Sequence, residues 1–484
     1  MSLSLHRRHQ PSGLLATAGG LVAWPVLAGG AALAAFCLVT WLAWQASAES
    51  AALAVVPLAL AGGAAAAALL AYAAAGGRSA NLVFLSGLIF INDALFRVRE
   101  AGDLGLDWQN AMKMALWCAA AGIGLVQLAT RGVRQPIGVT LALAYGGFAI
   151  ASAVYSEAPA YSAATAFGMV GLLLYGLALP SLLSERQIML AAIWSLCLFI
   201  LVGWIVYAAV PELGRSPFMT ADGSIVERLC GIAGQANALG RVVAVFLGLL
   251  FLSWHRGHAS LALVLPLALL GIVTLLVADS RASLVGLAVG MAAVLTRRSL
   301  WLWGASILAV LVAALALLAV PLRVLLGFTA DLGRSGDPTE LLTLTGRTDI
   351  WAFSWDKILL SPWLGYGYNS SKFILPQFVG LGIEIDEAHN MLLQNLLSVG
   401  VIGTLPLLLL VVYFLVAYVR RPNPVRDFFF FFIMVYGVTE AGAFGSTPSI
   451  LTLFLFVGMA LPDEAPAVLA RHPPGPARAS MRLA

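Results

Sequence analysis

The sequence predicts an all-α fold: a polytopic transmembrane helical bundle of about fourteen spans with a long, partly helical outer loop. Three observations predict it. Of 484 residues, 61% are hydrophobic and only 10% charged, where soluble domains carry about a quarter charged. The apolar residues form runs close to the roughly 20 residues that a helix needs to cross a ~30 Å hydrocarbon core. Arginine recurs in every second short connection between those runs, as the positive-inside rule requires of loops on the cytoplasmic side.

The runs lie near 21–44, 51–75, 80–96, 112–129, 136–154, 161–183, 187–210, 231–254, 259–278, 281–296, 299–321, 390–418, 427–442 and 447–461. The first follows "MSLSLHRRHQ" and is too long for the apolar stretch of a cleaved signal, so it reads as a retained anchor. Cys37, Cys118 and Cys197 fall inside spans and Cys230 at the start of one. No paired spacing in an exposed loop suggests a disulfide framework or a zinc site. With the N-terminus cytoplasmic, 15 of the 27 Lys and Arg but only 4 of the 23 Asp and Glu fall on the inner side. Two outer connections are long, 211–230 and 322–389, and long loops tend to be functional. In the second, Trp351, Trp355, Ile358 and Leu359 share one face of a helix, stopped by Pro362 and suited to the membrane interface. "LGYGYNSS" after it reads as a turn.

The chain therefore divides into five parts. Residues 1–229 hold the N-terminal spans and first outer loop, 230–321 a transmembrane core with arginines, and 322–389 the outer loop. Residues 390–462 hold the C-terminal spans, and 463–484 a cytoplasmic tail.

Charges inside spans are costly and mark function by default. Asn237 and Arg241 are four apart on one helix face. Arg241 is 13 residues from Trp254, roughly 20 Å along a helix and so in the outer third of the bilayer. Asp279 and Arg281 mark the outer turn between the ninth and tenth spans. Arg215 and Arg347 lie in the two outer loops, and His389 and Asn390 open the twelfth span from outside. Asp93, Arg97 and Glu440 also fall toward the outer side, while the other five histidines are cytoplasmic. This layout describes a pocket open to the outside, not a path across the membrane. Each residue has a plainer reading too. Arg241 could snorkel to lipid phosphates, Arg281 pair with Asp279, Arg347 pair with Asp349, and His389 be a polar interface residue. Glu384, Asp386 and Glu387 read as a solvated edge, with a divalent-ion site as the alternative.

Guanidinium groups grip phosphate with two prongs and keep their charge, and several can stabilise a pyrophosphate leaving group. A histidine near its ordinary pKa can take a proton from an attacking hydroxyl. An outward pocket at headgroup depth suits a lipid-linked substrate.

"GIAGQANALGRVV", "ADSRASLVG", "LTGRTDIWAFSWDKILLSPWLGYGYNS" and "EAHNMLLQNLLSVGVIG" resemble, in order, the O-antigen ligase and polymerase superfamily of bacterial membrane glycosyltransferases. The resemblance covers about 230–415. It implies a metal-independent, inverting enzyme without cofactor, in the inner membrane with its site facing the periplasm. Such an enzyme moves a glycan from undecaprenyl pyrophosphate to an acceptor sugar. It implies that Arg241 and Arg281 bind the pyrophosphate, with Arg347 as the loop arginine and Arg215 as a looser match. It makes His389 the residue that contacts or activates the acceptor, and Asn237 and Asn390 stand beside these groups. The implied partners are the lipid-linked glycan, an acceptor glycan, the bilayer and other polysaccharide assembly proteins, with no nucleic acid. The loop "GRTDIW…GYGY" is closer to exopolysaccharide polymerases, with a ligase acting on lipid A-core as the alternative. A transporter or flippase of lipid-linked glycan would show polar groups at the midplane or on both sides. A membrane acyltransferase with His389 as base would not need several arginines on one side.

Overall fold

A computed structural model describes residues 77–96, 107–132, 135–219, 225–298, 347–377 and 385–464. The expected spans at 21–44, 51–75 and 299–321 lie outside the described residues, as do Arg97, Glu384, the whole stretch 322–346 and nearly all of the tail. A helix stands at each of the other eleven expected spans. Among the described residues, seven helices are long and apolar enough to cross a membrane.

The chain forms two compact units. The first takes in the described residues of Met1–Val98, Leu179–Ser216 and Leu229–Asp279. Its helices are α1 (Arg78–Asn92), α5 (Glu185–Ala209), α6 (Ala236–His255) and α7 (Leu261–Ala278). A capping box starts α5: Ser184 and Gln187 satisfy each other's backbone N–H, which offsets the unpaired donors of a first turn. Helix α6 is buried along most of its length, from Val242 to Leu252. Helix α7 instead exposes Leu265, Leu269, Ile272 and Leu276, the face a helix shows to lipid. Gly203 of α5 meets Gly231 so closely that a Cβ on Gly231 would lie 2.7 Å from the Gly203 Cα. At one end of the unit Arg256 grips Glu185 with two prongs, at 2.8 and 2.7 Å. A cavity of about 530 Å³ lies by that end, lined by Arg78, Ser184 and Arg186 among others.

The second unit takes in the described residues of Arg99–Ala178, Pro217–Arg228 and Ser280–Ala484. It holds α2 (Trp108–Arg131), α3 (Pro136–Ala151) and nearly all of α4 (Pro159–Leu182). It also holds α8 (Arg281–Leu295), α9 (Arg347–Leu360), α10 (Met391–Arg420), α11 (Pro424–Tyr436) and α12 (Ile450–Ala460). Small residues allow close helix contact in membranes. Here Gly290 of α8 lies against Phe428 and Gly286 against Phe432 of α11. The two helices are therefore antiparallel, and the Arg281 end of α8 lies at the Tyr436 end of α11.

Three local expectations change. The long span at 390–418 is two helices, broken at Gly400, whose φ is 62°. A side chain there would meet the Trp363 carbonyl oxygen at 2.3 Å. The backbone of 362–367 fills the break: Val401 N–H donates to Pro362 (2.8 Å), and Tyr366 N–H donates to Leu397 (2.9 Å). The "LGYGYNSS" turn is thus a plug for a broken helix. Second, α9 carries the expected face with Trp355 and Leu359 exposed, and buries an adjoining stripe against protein. Ile350, Ser354 and Ile358 are buried, while Trp355 and Leu359 are exposed. Ile350 and Ile358 join a core with Ile374, Leu375, Ile385 and Leu397. Third, residues 215–219 and 225–229 form two paired strands, which no alternation in the sequence announces.

Candidate active site

The C-terminal turn of α11 and the N-terminus of α10 are strapped together by their backbones. Gly437 carbonyl accepts from Met391 N–H at 2.7 Å, and Val438 carbonyl accepts from the Asn390 amide at 3.0 Å. Because α11 ends at Tyr436, Glu440 lies beyond the helix and not near the end of a span as expected. The strap sets Glu440 beside His389. One Glu440 oxygen lies 3.2 Å from His389 Nδ1, and the other accepts from Arg347 at 2.5 Å. The three residues are 42 and 51 positions apart in sequence, and Glu440 joins them.

The electrostatics follow from that placement. Burial works against charging the His389 ring. The hydrogen bond and charge of Glu440 outweigh it and hold the ring pKa above the ordinary histidine value. Burial, then the neighbouring Asp386 charge, pushes Glu387 above the ordinary carboxyl range. The His389 backbone has a φ of 46°. A side chain in the left-handed region is uncommon and costs about 1–3 kcal/mol, a strain concentrated at functional sites. With Nδ1–H donating to Glu440, Nε2 is left as the proton acceptor.

Behind this layer sits Gln394, which is fully buried. It accepts from the Ala388 N–H (2.9 Å) and donates to Ser371 (2.7 Å) and to the Gly445 carbonyl (3.1 Å). It fixes the segment 386–390 against the outer loop. Asn395 next to it accepts from Tyr145 at 2.5 Å and donates to Phe444 at 3.1 Å.

The other expected site residues are divided between the two units. Arg281 opens α8 half-buried, at the end of α8 that meets the Tyr436 end of α11. Among the described residues no hydrogen bond or ion pair engages its guanidinium. Arg347 pairs with Glu440 and not with Asp349. Asn390 is committed to structure. Its oxygen caps α10 by accepting from Leu392 and Leu393 N–H, at 3.0 and 3.1 Å, and its nitrogen holds Val438. Arg241, in the first unit, pairs with Asp93 at 2.8 Å, and Asn237 is half-buried one turn earlier on α6. Arg215 lies over the Tyr207 ring at 5.0 Å and donates to the Tyr207 carbonyl. Glu440 and Gln394 are the residues that sequence reasoning missed as partners. Glu440 carried one signal: a carboxyl group in an apolar stretch on the expected outer side.

The arrangement can accept a proton at His389 Nε2, hold the resulting charge with Glu440, and offer guanidinium groups to an anion. The family model for O-antigen ligase matches residues 266–408, a stretch that includes Arg281, Arg347 and His389. No curated protein matches the chain. The match places this stretch in the O-antigen ligase and polymerase superfamily of membrane glycosyltransferases.

Proposed function

We propose, taking membership of the O-antigen ligase and polymerase superfamily as the premise, that this chain transfers a glycan from undecaprenyl pyrophosphate to a sugar hydroxyl. Transfer takes place on the periplasmic face of the inner membrane and polymerises repeat units. What supports the reading is the chain Arg347–Glu440–His389, with both Glu440 oxygens engaged and the histidine backbone in a strained conformation.

The acceptor oxygen attacks the anomeric carbon as the bond from that carbon to the pyrophosphate oxygen breaks, with inversion. The hydroxyl proton passes to His389 Nε2. Glu440 offsets the imidazolium charge through Nδ1–H, as a carboxylate does behind a histidine base. The departing undecaprenyl pyrophosphate carries the electron pair away, and Arg281 stabilises its charge. No metal takes part in this scheme.

The test is to incubate the purified protein with a defined lipid-linked repeat unit, with and without EDTA. A ladder of products that EDTA does not reduce is expected. A single transfer to a lipid A-core acceptor would instead make the chain a ligase. Movement of the lipid across vesicles without transfer would overturn the reading.

A further inference from the structure

A second polar group lies beside Ser371, to which Gln394 donates. Lys372 Nζ is 3.2 Å from Asp386 Oδ2, and both side chains keep access to solvent, at 27% and 47% exposed. The Asp386 carbonyl accepts from Ser371 at 2.8 Å. The amide of Asn369 donates to the Tyr161 hydroxyl at 3.2 Å, and the Tyr161 ring meets Phe373 edge-on with centroids 5.7 Å apart. Burial opposes the Lys372 charge, but Tyr161, Asp386 and Glu387 together hold its ammonium above the ordinary lysine range. Lys372 and Asp386 thus stand beside Ser371, Asn369 and the Tyr161–Phe373 pair, and Glu387 follows Asp386 in the chain, two residues before His389.

Two further atoms point to a missing partner. Asn369 is fully buried, with its nitrogen on Tyr161, and its Oδ1 has no partner; Ser370 Oγ beside it is likewise buried without one. Buried polar atoms are nearly always satisfied, and an exception calls for a water or a ligand. A structural ion pair between Lys372 and Asp386 would explain neither these atoms nor the open side chains.

We propose that Tyr161, Asn369, Lys372, Asp386 and Glu387 form the acceptor-sugar subsite, and that it selects neutral sugars over acidic ones. Sugars offer adjacent hydroxyls, each donor and acceptor, which match an ammonium beside carboxyl groups. Their C–H faces match aromatic rings such as Tyr161 and Phe373. Lys372 already faces Asp386, so a uronate or a phosphorylated sugar would have to compete with that carboxylate for the one ammonium. The subsite rests on the glycosyl-transfer reading only for its purpose; its ligand chemistry stands alone.

The test separates the two. Lipid-free oligosaccharides of equal length, one set neutral and one containing uronates, are presented without donor to the full chain in nanodiscs. Binding is read by saturation-transfer NMR. Parent protein should bind neutral members at least about ten-fold better. Asp386→Asn and Lys372→Gln should each weaken neutral binding about ten-fold, the order of one charge-assisted hydrogen bond, and Asp386→Asn should narrow the discrimination. Lys357→Gln, whose Lys357 bonds Gln377 outside the group, serves as control and should change nothing. Equal binding by parent and both variants, equal binding of acidic glycans, or no binding by parent protein would each overturn the subsite. A product ladder alongside any of those results leaves glycosyl transfer standing. Selective binding without any transfer leaves the subsite and removes the transfer reading.

Discussion

The second unit carries two clusters of charge, at opposite ends of the antiparallel pair α8 and α11. At one end Arg426 and Asp427 are almost wholly buried, at 1% exposure each. Arg426 donates to Asp427 (2.8 and 3.0 Å), to Asp463 (3.1 Å) and to the Ala417 carbonyl (3.1 Å). Arg297 pairs with Asp427 as well and lies over the Tyr418 ring at 4.8 Å. At the other end Arg347, Glu440 and His389 also form a chain, but His389 is 27% exposed and left-handed, and Arg281 nearby is not engaged by any described residue. The first cluster satisfies itself and closes; the second leaves donors and one ring nitrogen facing outward. Charge buried at a helix end is thus no guide to function. A group is a candidate for chemistry when its partners orient it without using up its reactive atom.

The sharpest break in that comparison comes from substituting one residue in each cluster. His389→Ala should lower turnover by about 10²–10⁴-fold, the usual worth of a positioned base. Thermal stability should stay near that of the parent, and donor binding, measured separately, should change little. Asp427→Asn should do the reverse. Removing one partner of a buried charge network costs about 3–5 kcal/mol, seen as a lower Tm or poor recovery, while protein that folds should turn over normally. A folded Asp427→Asn protein without activity would mean that the two ends are not distinct.

A smaller effect sharpens the role of the unengaged arginine. Arg281→Lys keeps the charge but loses the two-pronged contact. Donor-dependent turnover should fall about 10–100-fold, the worth of one or two charge-assisted hydrogen bonds. Turnover equal to the parent's would make Arg281 a helix-end residue and nothing more.

The two clusters were unequally legible in the sequence. Hydrophobic runs mark helices because lipid demands them, so eleven expected spans found their helices. The runs do not mark interruptions: Gly400 breaks α10 inside "SVGVIGT", where nothing polar signals it, because the compensating backbone comes from 362–367. The buried stripe of α9 was not legible, because periodicity shows which residues align but not which stripe faces protein. Here Ser354 is buried and Trp355 exposed. Arg281, Arg347 and His389 stand out as charges in an apolar chain and through family motifs. The link through Glu440 does not, because 51 residues separate it from His389 and only the Gly437–Met391 strap brings them together. Asn390 reads as a polar neighbour of His389, yet helix capping consumes it.

The measurement that tests the account most directly is the pH dependence of turnover for the parent and for Glu440→Gln. A base acts when neutral, so turnover should rise with pH through the His389 pKa and then level off. Glu440 holds that pKa above the ordinary histidine value, so the parent limb should lie above pH ~6.5. In Glu440→Gln the amide can still accept from Nδ1–H, but the negative charge is gone; burial and the Arg347 charge then lower the ring pKa, opposed only by the Glu387 charge. The limb should then move to lower pH and the plateau should fall, since the imidazolium formed during transfer loses its counter-charge. A limb at the same pH in both proteins, or one that persists in His389→Gln, would contradict the pairing of His389 and Glu440 as the proton-accepting unit.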